Sequence, residues 1–157
     1  MKAIIIRGKQ NVGKSTTIKE VCKRLKPKSI YKLDISKKEK VEENIDKICN
    51  GIYLIEVKGK CILVFAGSPT EIGVNISIAI DISIEMNIEI SFAIVSCRST
   101  ERKIDFDTIK ELREKGFEVI YDELIHKIEQ DAFEQTEEWN QRVDNIVNKV
   151  NENLIIK

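Results

Sequence analysis

The chain has 157 residues, the usual length of one folded unit, and we expect residues 1–157 to form a single domain with a helical segment from about 123 to 155 packed on it. Lysine and arginine number 26, as do aspartate and glutamate, so the formal charge is zero and no basic excess indicates nucleic acid or an anionic membrane. Hydrophobic residues make up 42% and charged residues 33%, which excludes a disordered segment.

The cysteines are too far apart to form a metal site with the single histidine, His126. None of them has the C-x-x-C spacing of zinc and iron–sulfur sites. We therefore expect reduced thiols, in a cytoplasmic protein, at Cys22, Cys49, Cys61 and Cys97. The apolar run at residues 3–6 is too short for a signal peptide, and no stretch of about 18 apolar residues predicts a membrane span.

The most informative segment begins at the first predicted strand, Ala3-Ile4-Ile5-Ile6, whose apolar run is typical of a strand buried on both faces. It leads directly into Gly8-Lys9-Gln10-Asn11-Val12-Gly13-Lys14-Ser15-Thr16, which fits the pattern G-x-x-x-x-G-K-[ST]. A helix ending before Pro27 is then predicted by the spacing of Ile18, Val21, Cys22 and Leu25. The motif therefore has a strand before it and a helix after it, as a phosphate-binding loop requires.

Each fixed position of this motif has a chemical reason. The glycines let the backbone approach a phosphate group closely, and the loop amides and helix N-terminus direct donors at the anion. Lys14 is expected to reach the β- and γ-phosphates, and the Ser15 hydroxyl to bind Mg²⁺. We therefore predict that a nucleoside triphosphate binds at residues 8–16, with ATP and Mg²⁺ as the cofactors.

This strand, loop and helix resemble the P-loop NTPase superfamily, specifically over about the first 25 residues and in general architecture over about the first 125. The resemblance implies an α/β three-layer P-loop NTPase fold with a mostly parallel sheet. The Asp-x-x-Gly and Asn-Lys-x-Asp motifs of GTPases and the Leu-Ser-Gly-Gly signature of transporter ATPases are missing. The chain is also short for a AAA or RecA-type motor. What remains looks like the small-kinase branch, whose members close an arginine-bearing lid over the phosphates.

The next segment is predicted to form a strand at residues 30–35. Ser36-Lys37-Lys38-Glu39 has the form of a capping box, which predicts a helix with Val41, Ile45 and Ile48 on one face and Gly51 as its stop. A charged, solvated loop is the alternative.

Two apolar runs, at residues 52–57 and 61–65, flank Lys58-Gly59-Lys60 and predict a hairpin that adds an antiparallel strand. Residues 72–92 alternate between apolar and mainly polar, but one strand of that length would extend roughly 65 Å. Ser68-Pro69-Thr70-Glu71 instead has the order of a helix start. We therefore predict a helix at 69–86 that buries Ile72, Ile76, Ile80 and Ile84, and then a strand at 88–96.

The rest of the chain predicts two helices separated by a strand. Phe106, Ile109 and Leu112 indicate a helix that stops at Gly116, before a strand at 117–121. The last helix has Thr136 as its cap and one apolar face formed by Trp139, Val143, Ile146, Val147, Val150 and Leu154. We interpret that face as core packing, with docking of a protein partner as the alternative.

Two arginines, Arg98 and Arg102, follow the strand predicted at 88–96, where the lid of a small kinase would lie. We predict that Arg98, together with Lys14, is catalytic and contacts the phosphates. The alternative is a solvated, charged loop.

One departure concerns the acid that should follow the strand at residues 62–65, where the chain has Ala66-Gly67-Ser68. The chain is also similar to small bacterial P-loop proteins of unassigned function, which have Gly-Asp at this point. Asp34, Glu56 and Glu71 are the candidates to replace the acid, either beside the waters of Mg²⁺ or as a base. The sequence leaves the choice open.

Two functions are consistent with these patterns. The first is a phosphotransferase that moves the γ-phosphate of ATP to a nucleotide or another small acceptor. The second is a nucleotide-dependent switch or adaptor with slow or no hydrolysis, whose C-terminal helices contact a protein partner. The arginines favour the first function, and the missing acid favours the second.

Overall fold

Seven strands form one sheet in the computed structural model, which describes residues 1–9, 13–129 and 132–154. The strands are β1 (Lys2–Gly8), β2 (Ser29–Asp34), β3 (Glu39–Glu42), β4 (Ile52–Val57), β5 (Lys60–Phe65), β6 (Ile90–Arg98) and β7 (Glu118–Leu124). Their order across the sheet is β3-β2-β4-β5-β6-β1-β7. The pairs β5–β6, β6–β1 and β1–β7 are parallel, whereas β3–β2, β2–β4 and β4–β5 are antiparallel.

The expected three-layer P-loop NTPase fold with a mostly parallel sheet is therefore wrong, because half of the strand pairs are antiparallel. Parallel neighbours need a crossover of a dozen or more residues, and the connections β2–β3 and β4–β5 are much shorter. Lys58 and Gly59 have φ angles of 52° and 75°, as a two-residue hairpin turn requires. The predicted hairpin is confirmed, and the fold is α/β with a mixed sheet.

Among the described residues there are five α-helices: α1 (Lys14–Arg24), α2 (Pro69–Ile72), α3 (Ile76–Glu85), α4 (Thr108–Glu114) and α5 (Glu137–Leu154). Two cores form on opposite faces of the sheet because side chains alternate along β1. Ile4 and Ile6 enter the first core with α1 and α5, and Ala3 and Ile5 enter the second with α3 and α4. The prediction that β1 is buried on both faces is confirmed.

The helix predicted after residue 36 is wrong. Residues Glu39–Glu42 form the edge strand β3, and Ile45–Lys47 form a single 3₁₀ turn. Val41 is 57% exposed and the other residues of β3 are exposed as well, so the predicted apolar face does not form, and only Ile48 of its three members is buried. The residues of the capping-box pattern lie in a turn instead of a helix. In this turn Asp34 Oδ1 accepts hydrogen bonds from Ser36 Oγ (2.8 Å) and Lys37 N (3.1 Å).

The helix predicted at residues 69–86 is two helices, broken at Gly73. Gly73 has a φ of 82° and ends α2, because a residue in the left-handed conformation cannot continue a right-handed helix. The second of the two helices, α3, buries Ile76, Ala79, Ile80 and Ser83 but leaves Ile84 62% exposed. Ile72, the last residue of α2, is half-buried. The predicted burial of Ile76 and Ile80 is confirmed, and that of Ile72 and Ile84 is wrong.

The last helix begins directly after its predicted cap, Thr136, but the helical segment predicted from about residue 123 is wrong before that point. Residues 125–129 and 132–136 are not α-helical, apart from a 3₁₀ turn at Phe133–Gln135, and α5 starts at Glu137. Thr136 is the predicted cap, since its Oγ1 accepts a hydrogen bond from Trp139 N at 3.2 Å. The interpretation of its apolar face as core is confirmed, because all six apolar positions are buried. Within the described ranges, no helix has the length and apolar character needed to cross a membrane.

Candidate functional site

The predicted site residues meet at one edge of the sheet because three strands end there in parallel. Gly8 ends β1 and Arg98 ends β6, and these two residues are register partners. The chain is held there as it leaves β6, since Ser99 N donates a hydrogen bond to Gly8 O at 3.1 Å. The strand β5 ends at the same edge with Phe65, which pairs with Val95 of β6.

The loop between β1 and α1 ends at Gly13, whose backbone conformation favours glycine. Gly13 has φ 92° and ψ 21°, a left-handed conformation that side chains with a Cβ rarely adopt. Its carbonyl accepts the first hydrogen bond of α1, from Thr17 N at 2.9 Å. The predicted phosphate ligands Gln10, Asn11 and Val12 lie outside the described residues.

The ammonium group of Lys14 lies beside the end of β1. Its Nζ donates hydrogen bonds to Gly8 O at 2.7 Å and to Lys9 O at 3.1 Å, and the residue is only 6% exposed. Burial lowers the pKa of Lys14 below its ordinary value of 10.5, and the negative charge of Glu71 opposes this shift. A group held in this way is a cation whose one anionic neighbour among the described residues, Glu71, is as far as 4.0 Å away.

One carboxylate lies between the two predicted catalytic cations. Glu71 Oε1 is 2.9 Å from Arg98 Nε and 4.0 Å from Lys14 Nζ. The Nε atom of Arg98 is buried and makes no hydrogen bond to the described residues, so its contact with Glu71 is an ion pair without hydrogen-bond alignment. Glu71 reaches this position because α2 begins four residues after β5 ends. We call these three side chains the charge row.

Glu71 is also the one of the three candidate acids that contacts Lys14. Asp34 is instead a turn residue, and hydrogen bonds from Lys37 N and Ser36 Oγ lower its pKa below the ordinary value of 3.8. Glu56 lies on β4, where it pairs with Cys61 near the hairpin turn and lines a different cavity.

Ser15 and Asn50 provide oxygen atoms beside the loop. Ser15 Oγ donates a hydrogen bond to Ala66 O at 2.6 Å and lies 3.4 Å from Asn50 Oδ1. A Cβ atom at Gly67 would lie 2.9 Å from Asn50 Oδ1, so any side chain at that position would displace Asn50. Because Gly67 has no side chain, the amide of Asn50 lies next to the segment where an acid was expected.

These oxygens fit Mg²⁺ only in the presence of a nucleotide. No group of three or more His, Cys, Asp or Glu side chains within the described ranges could hold a metal ion. Mg²⁺ is usually bound by one or two protein ligands together with phosphates and waters, all of them oxygen donors. A hydroxyl, an amide and a nearby carboxylate, those of Ser15, Asn50 and Glu71, match that type of site.

A hollow of about 380 Å³ lies over the start of α1, and we call it the loop hollow. It is lined by Gly13, Lys14, Ser15, Thr16, Asn50, Glu71 and Phe133. The Phe133 ring closes one side, 3.9 Å from where a Cβ at Gly13 would lie, and it packs edge-on against Trp139 with ring centroids 6.0 Å apart. The predicted ligands Gly13, Lys14, Ser15 and Thr16 are therefore brought together around one cavity.

The remaining predicted residues lie beside this hollow. Gly8 is buried at the end of β1, and Lys9 is exposed. Arg102 lies in the exposed loop after β6 and lines a neighbouring cavity with Arg98 and Lys9.

The sequence motif identified Lys14 and Ser15, and the strand end identified Arg98, but no pattern indicated Asn50 or Phe133. Comparisons of the chain with protein-family models, curated proteins and solved structures find no match. The assignment of a function therefore depends on the geometry of the site itself.

Proposed function

We propose that this protein is a small phosphotransferase that binds ATP with Mg²⁺ in the loop hollow and moves the γ-phosphate to a small acceptor. The charge row is the observation that carries this proposal. A buried lysine and a strand-end arginine, Lys14 and Arg98, share a single carboxylate partner. Two cations that share one negative charge favour a ligand that carries several.

The triphosphate would replace Glu71 as the partner of both cations. Phosphate oxygens accept hydrogen bonds from ammonium and guanidinium groups, and such charge-assisted bonds are about twice as strong as neutral ones. The start of α1 at Lys14 would add further donors. Bound phosphate would also stabilise the protonated form of Lys14, whose pKa burial lowers.

Arg98 is suited to the transfer step itself. Charge spreads over the oxygens of the transferred group in the transition state, and a positioned arginine stabilises it. The Nε–H group of Arg98 is buried and without a hydrogen bond in the described structure, so it is free to donate one to that group.

Mg²⁺ would be held by Ser15 and Asn50 together with phosphate oxygens. When bound, it would neutralise charge on the phosphates. Glu71 lines the same hollow, and its carboxylate would compete with the phosphates for the two cations. We propose ATP as the nucleotide because the chain lacks the guanine-reading motif, and the cytoplasm as the compartment because all four cysteines are free thiols.

The second candidate function is a nucleotide-dependent switch or adaptor that turns ATP over slowly or not at all. It is favoured by the chain after β5, where Ala66 and Gly67 take the place of an acid. A partner would have to use a surface other than the apolar face of α5, since that face is buried against α1.

A phosphorus NMR survey of Mg·ATP with pooled small acceptors separates the two functions. If the protein is a phosphotransferase, a new phosphorylated product should form with wild type and should not form with Lys14→Ala. ATP that binds but stays unchanged supports the switch. If ATP does not bind at all, both proposals are wrong.

A further inference from the structure

A second cavity of about 560 Å³ lies next to the loop hollow, and we call it the cationic recess. It is lined by Lys9, Thr70, Arg98, Ser99, Thr100, Arg102 and Lys103. All four charged side chains in this lining are cations, and the other three carry hydroxyl groups. The two cavities have no lining residue in common, but the contact between Glu71 and Arg98 joins them.

The loop after β6 holds three acids, Glu101, Asp105 and Asp107, and in the described part of the chain none of them forms an ion pair with these cations. The Asp107 side chain caps α4, where it accepts a hydrogen bond from Lys110 N at 3.2 Å. Glu101 turns toward α4, where its carboxylate accepts hydrogen bonds from Thr108 N (2.9 Å) and Thr108 Oγ1 (2.7 Å). The Lys103 ammonium lies over the ring of Phe106, 5.2 Å from its centre.

The cations of the recess are therefore poorly compensated. In the part of the chain that the structure describes, no carboxylate lies within 4.0 Å of the charged groups of Lys9, Arg102 or Lys103. Like charges brought together without counter-ions repel one another, and a bound anion relieves that repulsion.

We propose that the cationic recess holds the phosphate group of the acceptor, so that the acceptor is a phosphomonoester and the product a phosphoanhydride. This inference rests on the proposed phosphotransferase function. Arginine presents a planar fork of donors that matches phosphate oxygens, and lysine and hydroxyl groups add single donors. The γ-phosphate of ATP and the phosphate of the acceptor would then approach each other at Arg98, which belongs to the charge row and also lines the recess.

A phosphomonoester also explains how the reaction proceeds without a dedicated base. Its second pKa is about 6, so at neutral pH its oxygens are already ionised. One of these oxygens forms a bond to the γ-phosphorus, and the bond from that phosphorus to the oxygen bridging the β-phosphate breaks. ADP leaves with the electron pair, and no proton is transferred. A hydroxyl acceptor would need a base, and no carboxylate or imidazole is among the side chains that line the recess.

A small phosphate fits the recess better than nucleic acid does. Proteins that bind single strands use an extended basic groove with aromatic side chains on which bases stack. The four cations here surround one cavity, and the whole chain has a formal charge of zero.

The test measures binding of methyl phosphate by phosphorus NMR to the full chain saturated with Mg²⁺ and a non-hydrolysable ATP analogue. We expect wild type to bind methyl phosphate and Arg102→Ala/Lys103→Ala to bind it at least tenfold more weakly. The control Lys127→Ala/Lys149→Ala removes the same charge from two exposed lysines away from the recess and should bind like wild type.

Three results would overturn the inference: no binding to wild type, equal losses in both double variants, or tighter binding of a ten-residue oligouridylate that depends on Arg102 and Lys103. A product phosphorylated on a hydroxyl group in the acceptor survey would overturn it as well. The signals of the ATP analogue report the proposed function separately. If the analogue fails to bind, methyl phosphate binding is measured without it in wild type, Lys14→Ala and the Arg102/Lys103 variant. Loss only in the last supports the recess, and loss in Lys14→Ala assigns the probe to the loop hollow and overturns the inference.

Discussion

Glu71 occupies the position between Lys14 and Arg98 that a phosphate group takes in the proposed reaction. Its carboxylate is 23% exposed, whereas Lys14 is nearly buried, so Glu71 is the member of the charge row that can leave toward solvent. Binding of ATP then exchanges one ion-pair partner for another, and the carboxylate competes with the ligand.

Replacing this carboxylate by an amide should therefore strengthen binding. We expect Glu71→Gln to bind Mg·ATP about tenfold more tightly than wild type, equivalent to about 1.4 kcal/mol, because the competing charge is gone while the shape is kept. Glu56→Gln, which changes an acid far from the charge row, is the control for titration calorimetry. Equal or weaker binding by Glu71→Gln would show that Glu71 supports the ligand instead of competing with it.

Arg98 should affect the rate more than the affinity. Interactions made mainly in the transition state lower kcat and leave ground-state binding nearly unchanged. We expect Arg98→Ala to slow phosphate transfer about a hundredfold or more, with arginine fingers at 10³–10⁵ as an upper guide, and to change ATP affinity less than tenfold. Arg98→Lys should rescue poorly because an ammonium lacks the planar fork. Steady-state ADP release measures the rate of transfer, and equilibrium binding measures the affinity for ATP. If Arg98→Ala turns over as fast as wild type, Arg98 has no part in the mechanism.

The motif made part of the site predictable at this scale. Gly13, Lys14 and Ser15 follow from a local pattern whose chemistry is fixed by its spacing. Asn50 and Phe133 come from distant segments and are polar or aromatic residues of ordinary type, so nothing in their neighbourhood distinguishes them. Glu71 was predicted both as part of a helix start and as one of three candidate acids, and only the fold shows that it meets two cations.

The short helix α2 carries Glu71 and ends two residues later at Gly73. Nothing lies within 4 Å of a Cβ built at Gly73, so a side chain there has space but an unfavourable backbone conformation, with φ at 82°. The break also sets the register of α3, which turns Ala79 and Ser83 inward.

Substitutions at Gly73 should therefore cost stability through the backbone alone. We expect Gly73→Ala to lower the free energy of unfolding by about 1–2 kcal/mol, and Gly73→Asn by less because asparagine tolerates the left-handed region better. Urea unfolding of the three proteins measures both values. If alanine is as stable as wild type, the chain has found another way to end α2, and our account of this break is wrong.

The elements with strong apolar patterns were the predictable ones. The strand at residues 3–6, the hairpin turn at 58–59 and the apolar face of α5 each have a signal in neighbouring residues. The edge strand β3 has none, since all its residues are exposed and only pairing with β2 defines it. The antiparallel pairing of β2 with β3 and with β4 also makes the sheet mixed. A local motif such as the loop between β1 and α1 carries no information about the direction of those strands.

Two buried thiols link the stability of the whole molecule to pH. Cys22 lies in the first core and Cys97 in the second, and burial raises the pKa of each to about 12 from an ordinary value of 9.0. The unfolded chain releases these protons above pH 9, while the folded protein keeps them until about pH 12. Stability from the two thiols is therefore complete below pH 9 and is lost as the pH rises.

Alkaline unfolding should reveal this loss. Between pH 9.5 and 10.5 each buried thiol should lower the free energy of unfolding by about 1 kcal/mol. We expect Cys22→Ala to be less stable than wild type at pH 8, because it leaves a cavity in the core, and its stability to fall less steeply with pH. Cys49→Ala, which removes an exposed thiol, should keep the wild-type slope. Parallel slopes for Cys22→Ala and wild type would contradict the assignment.

The central claim is that the loop around Lys14 binds the phosphates of Mg·ATP, and a thermal-shift titration of Lys14→Ala tests it most directly. Lys14 donates to two loop carbonyls and lies outside both cores, so the variant should fold. Ligand at 100 times its Kd stabilises a protein by about 2.7 kcal/mol, and we expect this shift in wild type and in the control Lys127→Ala but not in Lys14→Ala. Equal shifts in all three proteins, or none in wild type, would contradict the account.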